Sequence, residues 1–418
     1  MAALPWTLHI SKWYDAARSF SEWMWSWVAL TAMGPDYFDV ESLLSEEERA
    51  VRQMVHDFVA AEVMPTVGAD WLQGRFPIHL VRKMGELGLF GPTLPEEYGG
   101  AGISQVAYGM IMQELERGDS GLRSFASVQS GLAMHAIYRY GTEEQRKTYL
   151  PRMAKGELIG CFGLTEPDAG SDPGTMRTNC RRVGDHWILN GEKRWITSSP
   201  IADVLVIWAM DEENKVRGFI APKGTKGLSA PAIETKISMR YSSTGDIVLE
   251  DVELPEELRL PEAKSLAAPL SCLTQARYGI AFGAVGAAMD CFNEALDYAQ
   301  NRIAFHRPIA QTQLMQQSLV DMLSLTTRSQ LMALRLGQLK QDDRYTFTQV
   351  SLAKRDNVRA ALQTARMARE LLGGNGITSE YRAMRHMANL ESVDTYEGTY
   401  EIHTLIVGRD ITGLNALG

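Results

Sequence analysis

The sequence predicts an α+β protein in which two helical domains flank a smaller β domain. Three patterns along the 418 residues indicate this order. Apolar residues recur every three or four positions between residues 45 and 156. Short strand-like runs separated by turn residues follow as far as residue 262, and long helical periodicity returns from residue 271. The order is therefore helical, β, helical, without an internal repeat or a low-complexity tract.

The composition is that of an ordinary soluble globular protein and argues against a nucleic-acid partner. Hydrophobic residues make up 45% of the chain, and 42 Lys and Arg against 51 Asp and Glu give a net charge of −9. A phosphate-binding surface needs clustered cations, which an acidic chain disfavours. The four cysteines and eight histidines lack the spacing of metal ligands. We expect no metal site and four reduced, mostly buried thiols.

The first 34 residues are rich in tryptophan and differ from the rest of the chain. Their apolar run is shorter than the ~20 residues that span a bilayer, and Asp15 and Glu22 argue against a transit peptide. We predict a poorly ordered leader over residues 1–37, or a chain that starts at Met33, with no stable membrane insertion. An amphipathic helix lying on a membrane surface is the alternative.

Cap residues and apolar periodicity predict the helices of an N-terminal domain over residues 38–157. Ser45 precedes three glutamates in the manner of a helix N-cap, and Val55 belongs to the apolar face that follows. A second helix is predicted over residues 106–116, and another begins after Thr142.

Short apolar runs predict a β domain over residues 158–262. Asn190-Gly191 lies between two such runs, and this dipeptide is typical of a two-residue hairpin turn. Further strands are predicted over residues 204–209, 216–221 and 246–254.

Long apolar stripes predict a C-terminal bundle of four helices over residues 263–418. Two of these helices are predicted over residues 313–340 and 346–372, and Gly373-Gly374 ends the second. Glycines 279, 283 and 286 in the first helix loosely resemble a dinucleotide-binding fingerprint. No strand precedes them, so we interpret them as small residues that allow close helix packing.

Two segments carry groups suited to binding a flat, polar ligand. Residues 161–172 combine Pro, Gly and Ser in a loop whose amides and hydroxyls suit a heterocycle edge or a pyrophosphate. A plain domain connector would have the same composition. Residues 193–197 place Trp195 beside a hydroxyl, and a core tryptophan is the alternative there.

A third segment, residues 396–399, places a lone carboxylate, Glu397, among Tyr and Gly near a predicted helix start. Such a group is a candidate general base. Glu391 and Glu401 compete with it on composition, and a solvated glutamate is the default interpretation.

Together these segments resemble the acyl-CoA dehydrogenase family over residues 38–417. The resemblance rests on the motifs GCFGLTEPDAGSD, KRWIT, RYGIAFGAVGAA, LLGGNGI and TYEGTYEIHTLIVGRDITG. Within the family the chain is most similar to glutaryl-CoA dehydrogenases, in the run that starts at Glu114 and in NLESVDTYEGT. The resemblance implies a helical N-terminal domain, a middle β-barrel or sandwich domain and a C-terminal four-helix bundle.

The resemblance also implies a bound FAD between the β domain and the bundle. Arg302, Phe305 and Gln313 would reach the cofactor of a neighbouring subunit, where a guanidinium suits a pyrophosphate. Ala304 stands where some members carry a threonine that bonds the cofactor. The residues implied in FAD binding are Phe162, Leu164, Thr165, Gly170, Ser171, Trp195, Thr197, Arg302, Phe305, Gln313, Gly373, Gly374 and Thr399.

By the same resemblance, Glu397 is the base that removes the α-proton of an acyl-CoA thioester while the β-hydrogen leaves as hydride. Arg123 matches the arginine at the far end of the acyl pocket of glutaryl-CoA dehydrogenases. A buried cation without a partner predicts an anionic substrate tail, and a surface arginine paired with Glu116 or Asp119 is the alternative. The residues implied in substrate binding are Arg123, Ser127, Ser171, Arg277, Tyr396 and Gly398.

The predicted function is FAD-dependent oxidation of glutaryl-CoA. Decarboxylation to crotonyl-CoA and carbon dioxide is expected because Tyr396 matches the residue beside the base in decarboxylating members. Electron-transfer flavoprotein as the acceptor, a homotetramer, and a bacterial cytoplasmic or mitochondrial matrix location are also implied. The alternatives are another short-chain or dicarboxylic acyl-CoA, a glutaryl-CoA dehydrogenase that does not decarboxylate, a non-catalytic flavoprotein and a helical scaffold without a cofactor.

Overall fold

The computed structural model describes residues 30–31 and 34–416. Most of the predicted leader, and the amphipathic helix considered for it, therefore lie outside the described residues. At its end Leu30–Thr31 (β1) pairs with Gly34–Pro35 (β2). The buried Pro35 accepts a hydrogen bond from Gln330 of the C-terminal domain.

The predicted helix starts of the N-terminal domain are confirmed. Ser45 accepts a hydrogen bond from the amide of Glu48, whose carboxylate accepts one from the amide of Ser45. Thr142 and Gln145 repeat this reciprocal cap. The helices are α1 Glu46–Phe58, α2 Val67–Gln73, α3 Leu80–Glu86, α4 Gln105–Gly118, α5 Ser120–Ser127, α6 His135–Tyr140 and α7 Glu143–Ala154, with π-helical segments Val59–Val63 and Val128–Met134.

The β domain is one mixed sheet that curls around its own core. Its strands are β3 Gly160–Gly163, β4 Asn179–Val183, β5 His186–Thr197, β6 Val204–Met210, β7 Val216–Pro222, β8 Leu228–Ser229, β9 Thr244–Pro255 and β10 Arg259–Leu260. They lie in the order β10-β7-β6-β4-β5-β9-β8, and β3 runs parallel to β6. Leu205 and Ile207 of β6 face the core of the sheet, while Val206 and Trp208 face the helical domain.

The prediction of a hairpin turn at Asn190-Gly191 is wrong. Strand β5 runs through this dipeptide, and the two-residue turn lies at Gly184-Asp185, between β4 and β5. Gly191 has a φ of +144° and sits where the pairing of β5 with β9 shifts register. A Cβ there would lie 2.5 Å from the Thr178 hydroxyl oxygen. The dipeptide therefore marks a β-bulge at which another chain segment approaches closely.

The C-terminal domain contains three long helices and two short ones. They are α8 Ala267–Asn301, α9 Gln313–Gln341, α10 Phe347–Leu371, α11 Ala383–Thr395 and α12 Tyr400–Thr412, and a hairpin of β11 Ile303–Ala304 and β12 Arg307–Pro308 joins α8 to α9. The predicted fourth helix is broken into α11 and α12 by residues 396–399. Glu397 and Gly398 in this break have φ values of +53° and +101°, which a right-handed helix cannot contain.

Glycines allow α4 and α8 to cross closely. A Cβ at Gly286 would lie 1.9 Å from the carbonyl oxygen of Gln113, and one at Gly283 would lie 2.0 Å from the carboxylate of Glu116. These glycines are mid-helix, so the packing interpretation is confirmed and the dinucleotide-binding alternative is wrong.

All three domains meet at the buried amide of Asn389 on α11. Its Oδ1 accepts hydrogen bonds of 2.8 Å from the Trp71 indole and from the amide of Met239. Its Nδ2 donates to Asp119 at 2.9 Å. Trp71 and Asp119 belong to the N-terminal domain and Met239 to the β domain, so one side chain ties the domains together.

The crossing of α4 and α8 can be tested with two matched substitutions. We expect Gly286→Ala to destabilise the protein by about 1–3 kcal/mol, because the methyl group must displace a backbone carbonyl. Gly408→Ala in α12 meets nothing within 4 Å, so the ordinary helix preference of Ala should leave stability unchanged or raise it by up to about 1 kcal/mol. Thermal unfolding of both variants measures this, and equal midpoints would contradict the packing argument.

Candidate active site

The loop between α11 and α12 presents Glu397 on a strained backbone. A left-handed φ costs a non-glycine residue free energy, and such conformations concentrate at functional sites. Arg277 Nε donates to the Glu397 carbonyl at 2.6 Å. Thr399 ends the loop as the N-cap of α12, accepting from the amide of Ile402. Arg277 and Thr399 therefore hold the loop on both sides of Gly398.

Part of the Glu397 carboxylate is shielded from solvent, although the residue as a whole is half-buried. Its Oε2 is buried and has no hydrogen-bond partner within the described chain. Burial raises the pKa of Glu397 to about 7, although the charges of Arg123, Arg277 and Lys354 act in the opposite direction. A carboxyl with a pKa near neutrality is suited to accept a proton during turnover.

The two competing carboxylates lack these surroundings. Glu391 is exposed and forms an ion pair with Arg366. Glu401 is exposed in the first turn of α12, where hydrogen bonds from its own amide and from Thr399 lower its pKa.

Arg123 of α5 is fully buried, and its charge already has a protein partner. Nε donates to Glu116 at 2.6 Å, and Nη2 donates to the hydroxyl of Tyr396. Both premises about Arg123 therefore need correction: it is not a cation without a partner, and it is not a surface arginine. Gly283 makes this burial possible, because a side chain there would overlap both Glu116 and Arg123.

Five polar atoms in and around this pair are buried without a hydrogen-bond partner in the part of the chain that the structure describes. They are Tyr108 Oη, Glu116 Oε1, Arg123 Nη1, Ser127 Oγ and Glu397 Oε2. Tyr108 interacts electrostatically with Arg123 and Glu397 and lies beside the hydroxyl of Ser127, so these groups are close to one another. Because buried polar atoms in proteins are nearly always hydrogen-bonded, they indicate a polar ligand. Sequence reasoning missed Tyr108, which lies in an apolar stripe typical of a core.

The two segments predicted to contact a flavin lie side by side. The amide of Arg194 donates to the Thr165 carbonyl at 2.9 Å, and buried Lys193 donates to the Leu164 carbonyl at 3.1 Å. Lys193 also pairs with Glu166 at 2.7 Å. The loop after β3 is thus fixed against β5, which a mere connector would not require. Of the predicted residues here, Phe162 and Leu164 are buried and Thr165 and Thr197 are half-buried.

Trp195 is not a core residue. Its side chain is 55% exposed and its φ is +63°. The Arg194 guanidinium lies 4.9 Å from the centre of the indole. An exposed, flat aromatic group on a strained backbone is suited to cover a planar ligand.

The remaining residues implied in cofactor binding are exposed. Gly170 and Ser171 lie in the loop after β3. Phe305 stands at the tip of the β11–β12 hairpin, 90% exposed, and its φ is +51°. The others lie at the ends of α8, α9 and α10, at Arg302, Gln313, Gly373 and Gly374. Their contact with a neighbouring subunit stays a prediction.

Within residues 30–31 and 34–416, no group of three or more His, Cys, Asp or Glu side chains is placed to hold a metal ion. None of the helices described combines the length and apolar character needed to cross a membrane. The four cysteines are free and buried, as predicted.

Models of three acyl-CoA dehydrogenase domains match this chain. The N-terminal domain matches residues 45–157, the middle domain residues 161–252 and the C-terminal domain residues 266–412. The short-chain specific acyl-CoA dehydrogenase of Bos taurus mitochondria is 35% identical over 390 residues, which cover 92% of this chain and 93% of that protein.

Two crystal structures of glutaryl-CoA dehydrogenase from Mycobacterium smegmatis are also similar. One is 51% identical with a TM-score of 0.89, covering 90% of this chain and 97% of that one. The other, in complex with FADH2, is 47% identical with a TM-score of 0.90, covering 91% and 98%. The chain therefore belongs to the acyl-CoA dehydrogenase family, and it is an oxidoreductase that acts on CH–CH bonds.

Proposed function

We propose that the protein oxidises glutaryl-CoA and releases carbon dioxide, leaving crotonyl-CoA. The cofactor is FAD, electron-transfer flavoprotein takes the electrons, and the enzyme works as a homotetramer. The observation that carries the substrate assignment is the buried guanidinium of Arg123, whose Nη1 has no partner within the described residues. The similarity to two glutaryl-CoA dehydrogenase structures supports the same substrate.

The β-domain segments fit a flavin. Trp195 offers an exposed aromatic face, and the loop at Thr165 is held in place by hydrogen bonds from Arg194 and Lys193. FAD, when bound, supplies the acceptor for the hydride. The residues that would hold its ring are Phe162, Leu164, Thr165, Trp195 and Thr197.

Glu397 is the base in this reaction. Its buried Oε2 takes the α-proton of the thioester, while the β-hydrogen leaves with its electron pair. The amide of the same residue is suited to donate to the thioester carbonyl and stabilise the developing enolate. Loss of the terminal carboxylate as carbon dioxide then leaves its electron pair on the substrate, and the proton held by Glu397 returns to the γ-carbon.

The far end of the acyl pocket suits a carboxylate tail. A methyl group placed there would leave Arg123 Nη1 unsatisfied, at a cost of about 1–3 kcal/mol. A carboxylate supplies an acceptor for it. Charge-assisted hydrogen bonds are also stronger than neutral ones.

A short-chain acyl-CoA is the second candidate substrate. Glu116 already neutralises Arg123 at 2.6 Å, so the pocket has no net charge that demands an anion. The Bos taurus relative is a short-chain specific enzyme. A neutral pocket would accept butyryl-CoA with a smaller electrostatic penalty than a bare arginine would impose.

Anaerobic mixing with glutaryl-CoA tests the overall reaction. We expect flavin absorbance to bleach and carbon dioxide to appear in the wild-type protein. Glu397→Gln keeps the shape of the side chain but cannot accept the α-proton, so flavin reduction should fall by about 100- to 10,000-fold, the scale expected when a general base is lost. Undiminished flavin reduction in this variant would refute the role of Glu397. Bleaching without carbon dioxide would leave a dehydrogenase that does not decarboxylate.

The pH dependence follows from the raised pKa of Glu397. Only the ionised carboxylate can accept a proton, so kcat/KM should be low in acid and rise through the pKa of about 7. Steady-state rates over a pH series measure this. A limb centred near the pKa of about 4.3 that an unperturbed glutamate has would contradict the burial argument.

Substrate choice can be tested without leaving a lone buried charge. The double variant Glu116→Gln/Arg123→Gln removes both charges together and so avoids the cost of an unpaired ion. We expect kcat/KM for glutaryl-CoA to fall about 10- to 100-fold, by the loss of one or two charged hydrogen bonds, with butyryl-CoA as the internal control changing little. Preference of the wild type for butyryl-CoA, with both substrates equally affected in the variant, would favour the short-chain alternative.

A further inference from the structure

Three nitrogen-bearing side chains from three helices lie behind the loop that carries Glu397. Arg277 comes from α8, Lys354 from α10 and His403 from α12. All three are buried, and Lys354 is only 1% exposed. A Cβ on Gly398 would lie 2.9 Å from His403 and 3.3 Å from Arg277, so the loop rests directly on them.

Lys354 binds the loop through backbone carbonyls. Its ammonium donates to Gly398 at 2.8 Å and to Asp394 at 3.3 Å, and it forms no ion pair among the described residues. Asp394 is in the last turn of α11, where carbonyls lack helical partners and carry partial negative charge. Lys354 thus joins the end of α11 to the residue after Glu397.

A buried lysine without a carboxylate partner is expensive and would not be expected from packing alone. Burial lowers the pKa of Lys354 to about 7, and Asp394 and Glu397 oppose this. The side chain also lies on the face of α10 that buries Val350, Val358 and Ala361. A lysine in that apolar stripe was the sequence signal that could have identified it.

We propose that Lys354 is a positioning residue for Glu397: its ammonium fixes the left-handed loop by holding two carbonyls, and its charge favours the ionised carboxylate. This inference rests on the proposed role of Glu397 as the base. Arg277 performs a similar task on the other side, donating to the Glu397 carbonyl.

The charged and titratable groups around Glu397 determine the direction of the effect. The described groups that face it or its loop are Tyr108, Arg123, Arg277, Lys354, Asp394, Tyr396 and His403. Burial lowers the pKa of His403 to about 2, so it is neutral at working pH. Lys354 is charged below about pH 7, and removing that charge should make Glu397 harder to ionise.

Two substitutions separate the two tasks of Lys354. Lys354→Met removes the charge and the donors, whereas Lys354→Gln keeps an N–H donor without the charge. We expect the acid limb of kcat/KM for glutaryl-CoA to move to higher pH in both, with rates at about pH 6 lower by up to about tenfold. The alkaline plateau should fall only in Lys354→Met, and KM should change little. Lys340→Met is the control, because this lysine packs on Tyr345 and also has a lowered pKa of about 8.

An unmoved acid limb in a folded Lys354→Gln protein would overturn the inference, even if thermal stability fell. Should Lys354→Met not fold, the Gln variant carries the test by itself. Failure of the inference and of the proposed function are distinguishable. Wild-type turnover that depends on Glu397, with no effect of Lys354, refutes only the positioning role, whereas a wild type that no acyl-CoA reduces refutes the function.

Discussion

The burial of one carboxylate is the constraint on which the rest of this structure depends. Glu397 lies where the last helix of the bundle breaks, on a left-handed backbone that costs free energy and in surroundings that disfavour its charge. Neither condition would persist in an isolated loop. Donors from α8 and α10 hold the carbonyls of the loop, and Thr399 restarts the helix directly afterwards.

The glycines at the close crossing of α4 and α8 leave room for the site. Glycine at 283 and 286 lets α4 and α8 approach so closely that a side chain at either position would overlap α4. The space gained admits Glu116 and Arg123 as a buried pair. Each charge in such a pair compensates the desolvation of the other, so α5 can carry an arginine into the interior with one guanidinium nitrogen still available.

The β domain is fixed to the helical domains by separate contacts. Gln129, which lies directly after α5, accepts a hydrogen bond of 2.7 Å from the amide of Gly160, the first residue of β3. The loop that follows is then clamped to β5 by Lys193 and Glu166. Asn389 of α11 forms a further contact with the β domain by accepting a hydrogen bond from the Met239 amide. The backbone of this loop is therefore fixed from several directions.

Local signals predicted the helices and strands well, because a cap or an apolar period depends on residues close in sequence. The reciprocal caps at Ser45 and Thr142 are examples. Asn190-Gly191 failed for the complementary reason. A glycine is needed there because Thr178 approaches closely and because the pairing with β9 shifts register, and both partners are distant in sequence.

The sequence by itself determined the order of the domains, the family and the position of the candidate base, because these depend on long, continuous motifs. Only the tertiary structure decided which charges are paired. Glu116 neutralises Arg123 across a helix junction, Trp195 is exposed instead of buried, and Lys354 supports a loop 44 residues further along the chain. Pairing and burial are properties of atoms brought together from separate helices, and spacing along the chain does not specify them.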